Sequence, residues 1–281
     1  MVSRDKKYEQ RADYSPLAKP DLRTSRRNFI AAASTLATAG VLWVGLGAKP
    51  ARAQSAQGCE SSNEQPNGCY CFLAGTRIAT PDGEVAIDEL QIGDLVITSS
   101  GEPKPIKWIG RNHYRRAPSE AWRPDVVPVK VARFALDDRT PHRDLYLSPG
   151  HAIYLSGLLI PVAHLANGCS IIAGQHASAL TLDYYHIELE DHDVVLAEGA
   201  AAETFGGDDH SGFDNAEEYE RLYGATFPPK RSFAPIVGLF GGRQALASSL
   251  RSAVSPIYDA RKTFDMIRDD LAARADLGIA A

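Results

Sequence analysis

Between about residue 77 and residue 199 the apolar positions come in short runs, often at every second place, and the runs are broken by Gly, Pro and charged clusters. A period of two over a few residues marks a strand with one face buried. Residues 77–80 and 84–87 flank Pro81-Asp82-Gly83, the kind of turn that joins two strands into a hairpin. Residues 88–93 read as a short helical turn. Further strands are predicted over 95–98, 106–110, 126–135, 145–147, 152–155, 158–162, 181–189 and 194–197. So many short strands predict a mainly-β domain, and spacing alone does not separate a sandwich from a barrel.

Beyond Phe205 the pattern changes. GGDDHSG reads as a linker, 216–223 as a short helix, and 243–253 and 255–277 as longer ones. Ile257, Phe264, Ile267 and Leu271 fall along one helical face, with Pro256 in the first turn. The mixed charges of RKTFDMIRDD lack the basic bias of a membrane-surface helix, so this C-terminal helical extension is predicted to dock on its own domain.

With 281 residues, 44% hydrophobic and 23% charged, the chain has room for one core of ordinary size plus extensions. Residues 1–53 hold ten of the Lys/Arg and four of the Asp/Glu, leaving the remainder at a net charge of −11. No basic surface for nucleic acid is expected. The same first segment contains Ser25-Arg26-Arg27-Asn28-Phe29-Ile30, then 19 uncharged residues from 29 to 47, then Ala51-Arg52-Ala53. Paired arginines, an apolar stretch and a small-x-small site predict a twin-arginine signal peptide over 1–53, cut after Ala53. A membrane-spanning helix is the competing reading, but the stretch is rich in Ala, Gly, Ser and Thr and only mildly hydrophobic. The expected partner is therefore the twin-arginine export machinery, the expected destination the periplasm or the exterior, and the only expected membrane contact the signal itself.

Three motifs carry the candidate chemistry. Cys71 opens CFLAGTRIATPDG, LYLSPGHAIYL spans 145–155, and YYHIELEDHDVVLAEG spans 184–199. In this order they resemble the hedgehog/intein, or Hint, domain family, and most of all its bacterial branch in secreted proteins. The resemblance implies a compact, pseudo-two-fold horseshoe of β-hairpins over 71–206, with a polar segment at 54–70 before it and the linker and helices of 207–281 after it. It also implies a site. Cys71 attacks the carbonyl of Tyr70 in an N–S acyl shift, Ser148 stands for the family's threonine and positions the scissile amide, His151 protonates the freed nitrogen, and His192 polarises the carbonyl or assists a second step. The resulting thioester is open to water or a small nucleophile. Hedgehog-type domains add an aspartate between cysteine and histidine; Asp125 lies in that interval and is assigned no role.

Elementary chemistry asks for the same parts: a thiol needs a base or a positive field, the departing nitrogen needs a proton, and the carbonyl oxygen needs donors. The departures from an intein are equally plain. No asparagine stands near Gly199, so full splicing is not expected, and the predicted outcome is self-cleavage at Tyr70-Cys71, a single turnover in cis. The alternative is a catalytically silent, disulfide-stabilised Hint scaffold that binds or supports. Cys59, Cys69, Cys71 and Cys169 allow three full pairings, and spacing does not choose among them. His164, His186 and Asp191 read as structural or solvated. The histidines show no paired zinc-type spacing, and no metal or cofactor is expected.

Overall fold

The computed structural model describes residues 70–224, 230–237, 242–255 and 261–278. The predicted signal with Arg26, Arg27 and Ala53, the polar segment with Cys59 and Cys69, and Ile257 lie outside the described residues.

The strands are β1 (Phe72–Leu73), β2 (Arg77–Thr80), β3 (Gly83–Ala86), β4 (Leu95–Ile97), β5 (Pro103–Pro105), β6 (Trp108–Arg115), β7 (Val129–Val131) and β8 (Leu145–Leu147). They continue with β9 (Ala152–Leu155), β10 (Leu158–Pro161), β11 (Ile171–Ala173), β12 (Thr181–Glu188), β13 (Val194–Ala197) and β14 (Ala200–Glu203). Helices α1 (Ala216–Tyr223), α2 (Gly242–Val254) and α3 (Thr263–Asp276) follow. One sheet runs β11-β7-β8-β1-β12-β6 and a second β10-β9-β14-β13-β2-β3, with β4 and β5 forming a separate ribbon. The ladders are antiparallel and neither sheet closes into a barrel, so the mainly-β expectation with a helical extension holds.

Local chemistry explains where the strands depart from prediction. The run 126–135 keeps only Val129–Val131 as strand. Pro128 has no N–H to give a ladder, and Phe134 takes a left-handed φ of 62° that turns the chain. Conversely, Ala200–Glu203 has weak intrinsic strand preference but is captured by pairing with β13 on one side and β9 on the other.

Phe72, Ile78, Leu147, Ile153 and Val195 are fully buried in a core shared by both sheets. Phe264 and Leu271 of α3 are buried against it, with Ile267 packed alongside, as the apolar spacing predicts. α3 is also tied to α2. Asp265 is fully buried and accepts from Arg251 Nε at 2.6 Å, from the Lys262 amide at 2.8 Å and from the Ser248 hydroxyl. Burial alone would raise its carboxyl, but Arg251 and Ser248 outweigh that and hold it at about 2. No described helix is long and apolar enough to cross a membrane.

β12 does most to shape the interior. Leu182, Tyr184, His186 and Glu188 are buried on one of its faces and Ile187 on the other, while Thr181 is exposed and Asp183 and Tyr185 are half-buried. The chain after β14 covers the His186 side: Phe205 and Phe213 lie edge-on to and stacked with His186, at 5.7 and 6.4 Å between ring centres. The segment predicted as a linker is therefore packed, with His210 buried and bonded to Glu188 at 2.7 Å. Lys230 Nζ meets the same carboxylate at 2.7 Å and the Leu189 carbonyl at 2.6 Å, which fixes residues 230–237 beside the sheets.

Candidate active site

Cys71 sits just ahead of β1, a strand pinned between β8 and β12 by the pairs Phe72↔Leu147 and Phe72↔Tyr185. This pairing brings the N-terminal motif against the second one. Ser148, directly after β8, exchanges two hydrogen bonds with Cys71: its amide donates to the Cys71 carbonyl at 2.9 Å, and the Cys71 amide donates to its hydroxyl oxygen at 2.7 Å. The second of these holds the nitrogen of the Tyr70–Cys71 peptide bond. Both residues are buried, so the bond is shielded from competing water.

Ser148-Pro149-Gly150-His151 is a tight turn closed by the His151 amide on the Ser148 carbonyl at 3.0 Å. The turn delivers His151 into the core, fully buried, with its ring 4.2 Å from Phe72 and 5.1 Å from His186 between centres. Neither ring nitrogen makes a hydrogen bond of normal geometry. The backbone of Tyr70 and that of Glu203 nevertheless lie close enough to favour the protonated ring. Burial wins, and the imidazole is held down at about 3. His151 is therefore neutral at physiological pH and faces the peptide bond ahead of Cys71.

The thiol has different company. Cys71 belongs to a buried cluster with Val126, Leu182 and Tyr184, whose hydroxyl is tied to the Val126 carbonyl at 2.6 Å.

His192 lines a cavity of about 180 Å³ that also borders Tyr70, His186, Glu203, Phe205 and Lys230. Its Nδ1 accepts the Phe233 amide at 3.1 Å, so the ring is neutral, with any proton on Nε2. Burial and then the Lys230 charge lower its pKa, with Asp193 opposing. Gly206 is packed on it so closely that a Cβ there would come within 2.7 Å of the ring. His192 is thus a rigid wall of the cavity.

The structure brings Tyr70, Cys71, Ser148 and His151 together, with His192 across the cavity. Two further groups join them to which the sequence reading gave no catalytic role. His186, expected to be structural or solvated, is buried between His151 and Phe205, and burial followed by the neighbouring histidines drives its pKa well down. Glu203, at the end of β14, is buried, touches the Ala152 amide at 3.4 Å, and is pushed by burial up to about 8. Only a strand predicted over 200–203 would have pointed to Glu203, and the alanines hide it. Asp125 is paired with Arg123 two residues earlier and directly precedes Val126 of the Cys71 cluster. Asp191 is exposed, while His164 borders the cavity with Nδ1 buried and lacking a hydrogen-bond partner.

The family model of the Hint domain matches residues 70–209. Among solved structures, the chain is similar to the MchDnaB-1 intein at 12% identity, over 48% of this chain and 99% of that one, with a TM-score of 0.34. The splicing domain of the Msm DnaB1 intein, bound with zinc, is 15% identical over 46% and 98% of the two chains, TM-score 0.32. A bacterial intein-like domain from Clostridium thermocellum is 13% identical over 49% and 100%, TM-score 0.30. No curated protein matches the chain.

Proposed function

Starting from a chain that carries a Hint domain over residues 70–209, a fold of the autoprocessing type, we propose that it cuts itself at Tyr70–Cys71 by an N–S acyl shift without splicing. The observation that carries this reading is the 2.7 Å hydrogen bond from the Cys71 amide to the Ser148 hydroxyl, which holds the nitrogen of the bond to be cut.

The steps follow from the protonation states. His151 starts neutral. The sulfur attacks the Tyr70 carbonyl carbon while a neutral imidazole takes the thiol proton. The C–N bond then breaks, and the same proton passes to the nitrogen, leaving a free amine on Cys71 and a thioester between Tyr70 and its sulfur. His151 is the shuttle because it faces Tyr70. A low-pKa imidazole is a weak base but, once protonated, a strong acid, which suits proton delivery to a poor leaving group. The thioester is next attacked by water or a small nucleophile, which releases the Tyr70 carboxyl and restores the thiol. The cavity at Tyr70, lined by His192, Glu203 and Lys230, is the place where that nucleophile would stand. We further propose that the twin-arginine machinery exports the protein, and that cleavage awaits export, because earlier cleavage would part the signal from its passenger.

The buried, apolar setting of Cys71 favours a second reading, an inert Hint scaffold, since buried cysteines of this kind are usually unreactive. Incubating the full chain under reducing conditions, with Cys71→Ala alongside, separates the two. A fragment beginning at Cys71 in the wild type alone supports autoprocessing; an intact chain in both supports the scaffold.

A further inference from the structure

The two sheets leave a second cluster of ionisable groups at the opposite end of the β13–β14 hairpin from Glu203, about 10 Å along the strand. Glu198 and Gly199 form the two-residue turn of that hairpin, both with positive φ (48° and 79°), as such turns require. Glu84 stands on β3, and His142 precedes β8. Their side chains converge so that one donor atom from each lies within 4.8 Å of the other two. Among the described residues this is the group of His, Cys, Asp and Glu that meets in this way.

Glu198 is the informative member. It is 4% exposed, and its Oε1 accepts the Arg77 amide at 2.9 Å, which fixes the carboxylate. Its Oε2 is buried with no hydrogen-bond partner and points at the cluster, 3.5 Å from His142 Nε2. A buried carboxylate oxygen left in this state is costly and calls for a partner. Across the cluster, Glu84 Oε1 and Oε2 are each 3.1 Å from His142 Nε2. Donors bonded at about 2.0–2.1 Å to a tetrahedral ion stand about 3.3 Å apart. These separations straddle that value. The His142 amide donates to the Glu198 carbonyl at 2.9 Å, so the loop and the turn are locked together before any ion arrives. With side chains 37% and 29% exposed, His142 and Glu84 leave an open approach and room for a water as fourth ligand.

We propose that Glu84, His142 and Glu198 form a binding site for a divalent transition metal of the zinc class. Two carboxylates neutralise the ion, and one imidazole supplies the nitrogen that favours such metals over magnesium or calcium. The site lies apart from Cys71 and His151 and ties three separate segments of chain together, so its expected effect is on stability.

The test uses the full chain, stripped with chelator and titrated with Zn²⁺, with Mg²⁺ as comparison and circular dichroism as a check on folding. Glu198→Gln keeps an acceptor for the Arg77 amide, and Glu84→Gln changes a partly exposed strand position, so at least one variant is expected to fold. Saturable 1:1 binding that raises the Tm of the wild type, weakened roughly a hundredfold in both variants, is the expected result. Bound Co²⁺ should then show the visible absorption of a four-coordinate site and no sulfur-to-metal charge-transfer band. Absence of saturable Zn²⁺ binding, equal affinity in the folded variants, or a sulfur band would overturn the proposal, the last two placing the ion on cysteine or elsewhere.

Discussion

Glu203 is a carboxyl kept neutral by its surroundings, and that has a measurable cost. A group with its folded pKa raised to about 8 contributes full stability below its ordinary range near 4.5, and loses it as pH climbs toward 8. Glu203→Gln is therefore expected to match the wild type at pH 4 and to exceed it by about 2–4 kcal/mol at pH 8, below the linkage ceiling of ~1.4 kcal/mol per unit. Urea unfolding at the two pH values checks this, and parallel wild-type and variant stabilities would mean that Glu203 is ionised in the fold. His151 has the opposite sign. Its folded pKa of about 3 lies below the imidazole norm, so the stability tied to neutrality is present above about pH 6.5 and drains as pH falls toward 3. Ser148 is the third residue to probe. Ser148→Ala removes the acceptor of a buried amide and is expected to slow cleavage by roughly 10- to 100-fold, on the order of 1–3 kcal/mol. Single-turnover rates from gel densitometry would show it, whereas an unchanged rate would strip Ser148 of its positioning role.

Among the elements, the C-terminal helices are the part whose attachment is open to direct test. α3 buries Phe264 and Leu271, but its register against α2 rests on Asp265 and Arg251. Asp265→Asn weakens the carboxylate that Arg251, Ser248 and the Lys262 amide share and is expected to lower the stability of this helix pair, with proteolysis cutting first between α2 and α3. Uniform protection along the chain would contradict this. The docking of α3 was legible in the spacing of its apolar residues, because one face of a helix is written every three or four places. β12 was legible only in half. Its strand state follows from its pattern, but the even positions are its buried face, and their covering depends on Phe205, Phe213 and Tyr219, which arrive from later in the chain. Nothing local announces such a lid, and for that reason His186 read as solvated. Ala200–Glu203 escaped for a related cause, since its strand state comes from neighbours on both sides and not from its own preference.

Across the molecule, two meetings of residues distant in sequence carry the proposals. One lies between Cys71 and Ser148, where β1 is threaded between β8 and β12; motif order made that meeting legible, through resemblance to Hint domains. The other joins Glu84, His142 and Glu198, each in a separate turn or strand end, and no spacing rule connects them. On the first meeting rests the proposed conversion of the Tyr70–Cys71 amide to a thioester. It is read most directly by intact mass spectrometry of the reduced full chain during incubation with a small thiol, followed on the N-terminal product. A thioester predicts a fragment ending at Tyr70 whose mass includes the added thiol, hydrolysing slowly to the acid and missing from Cys71→Ala. A fragment that appears only as the free acid and persists in Cys71→Ala, or a chain that stays whole, would contradict it.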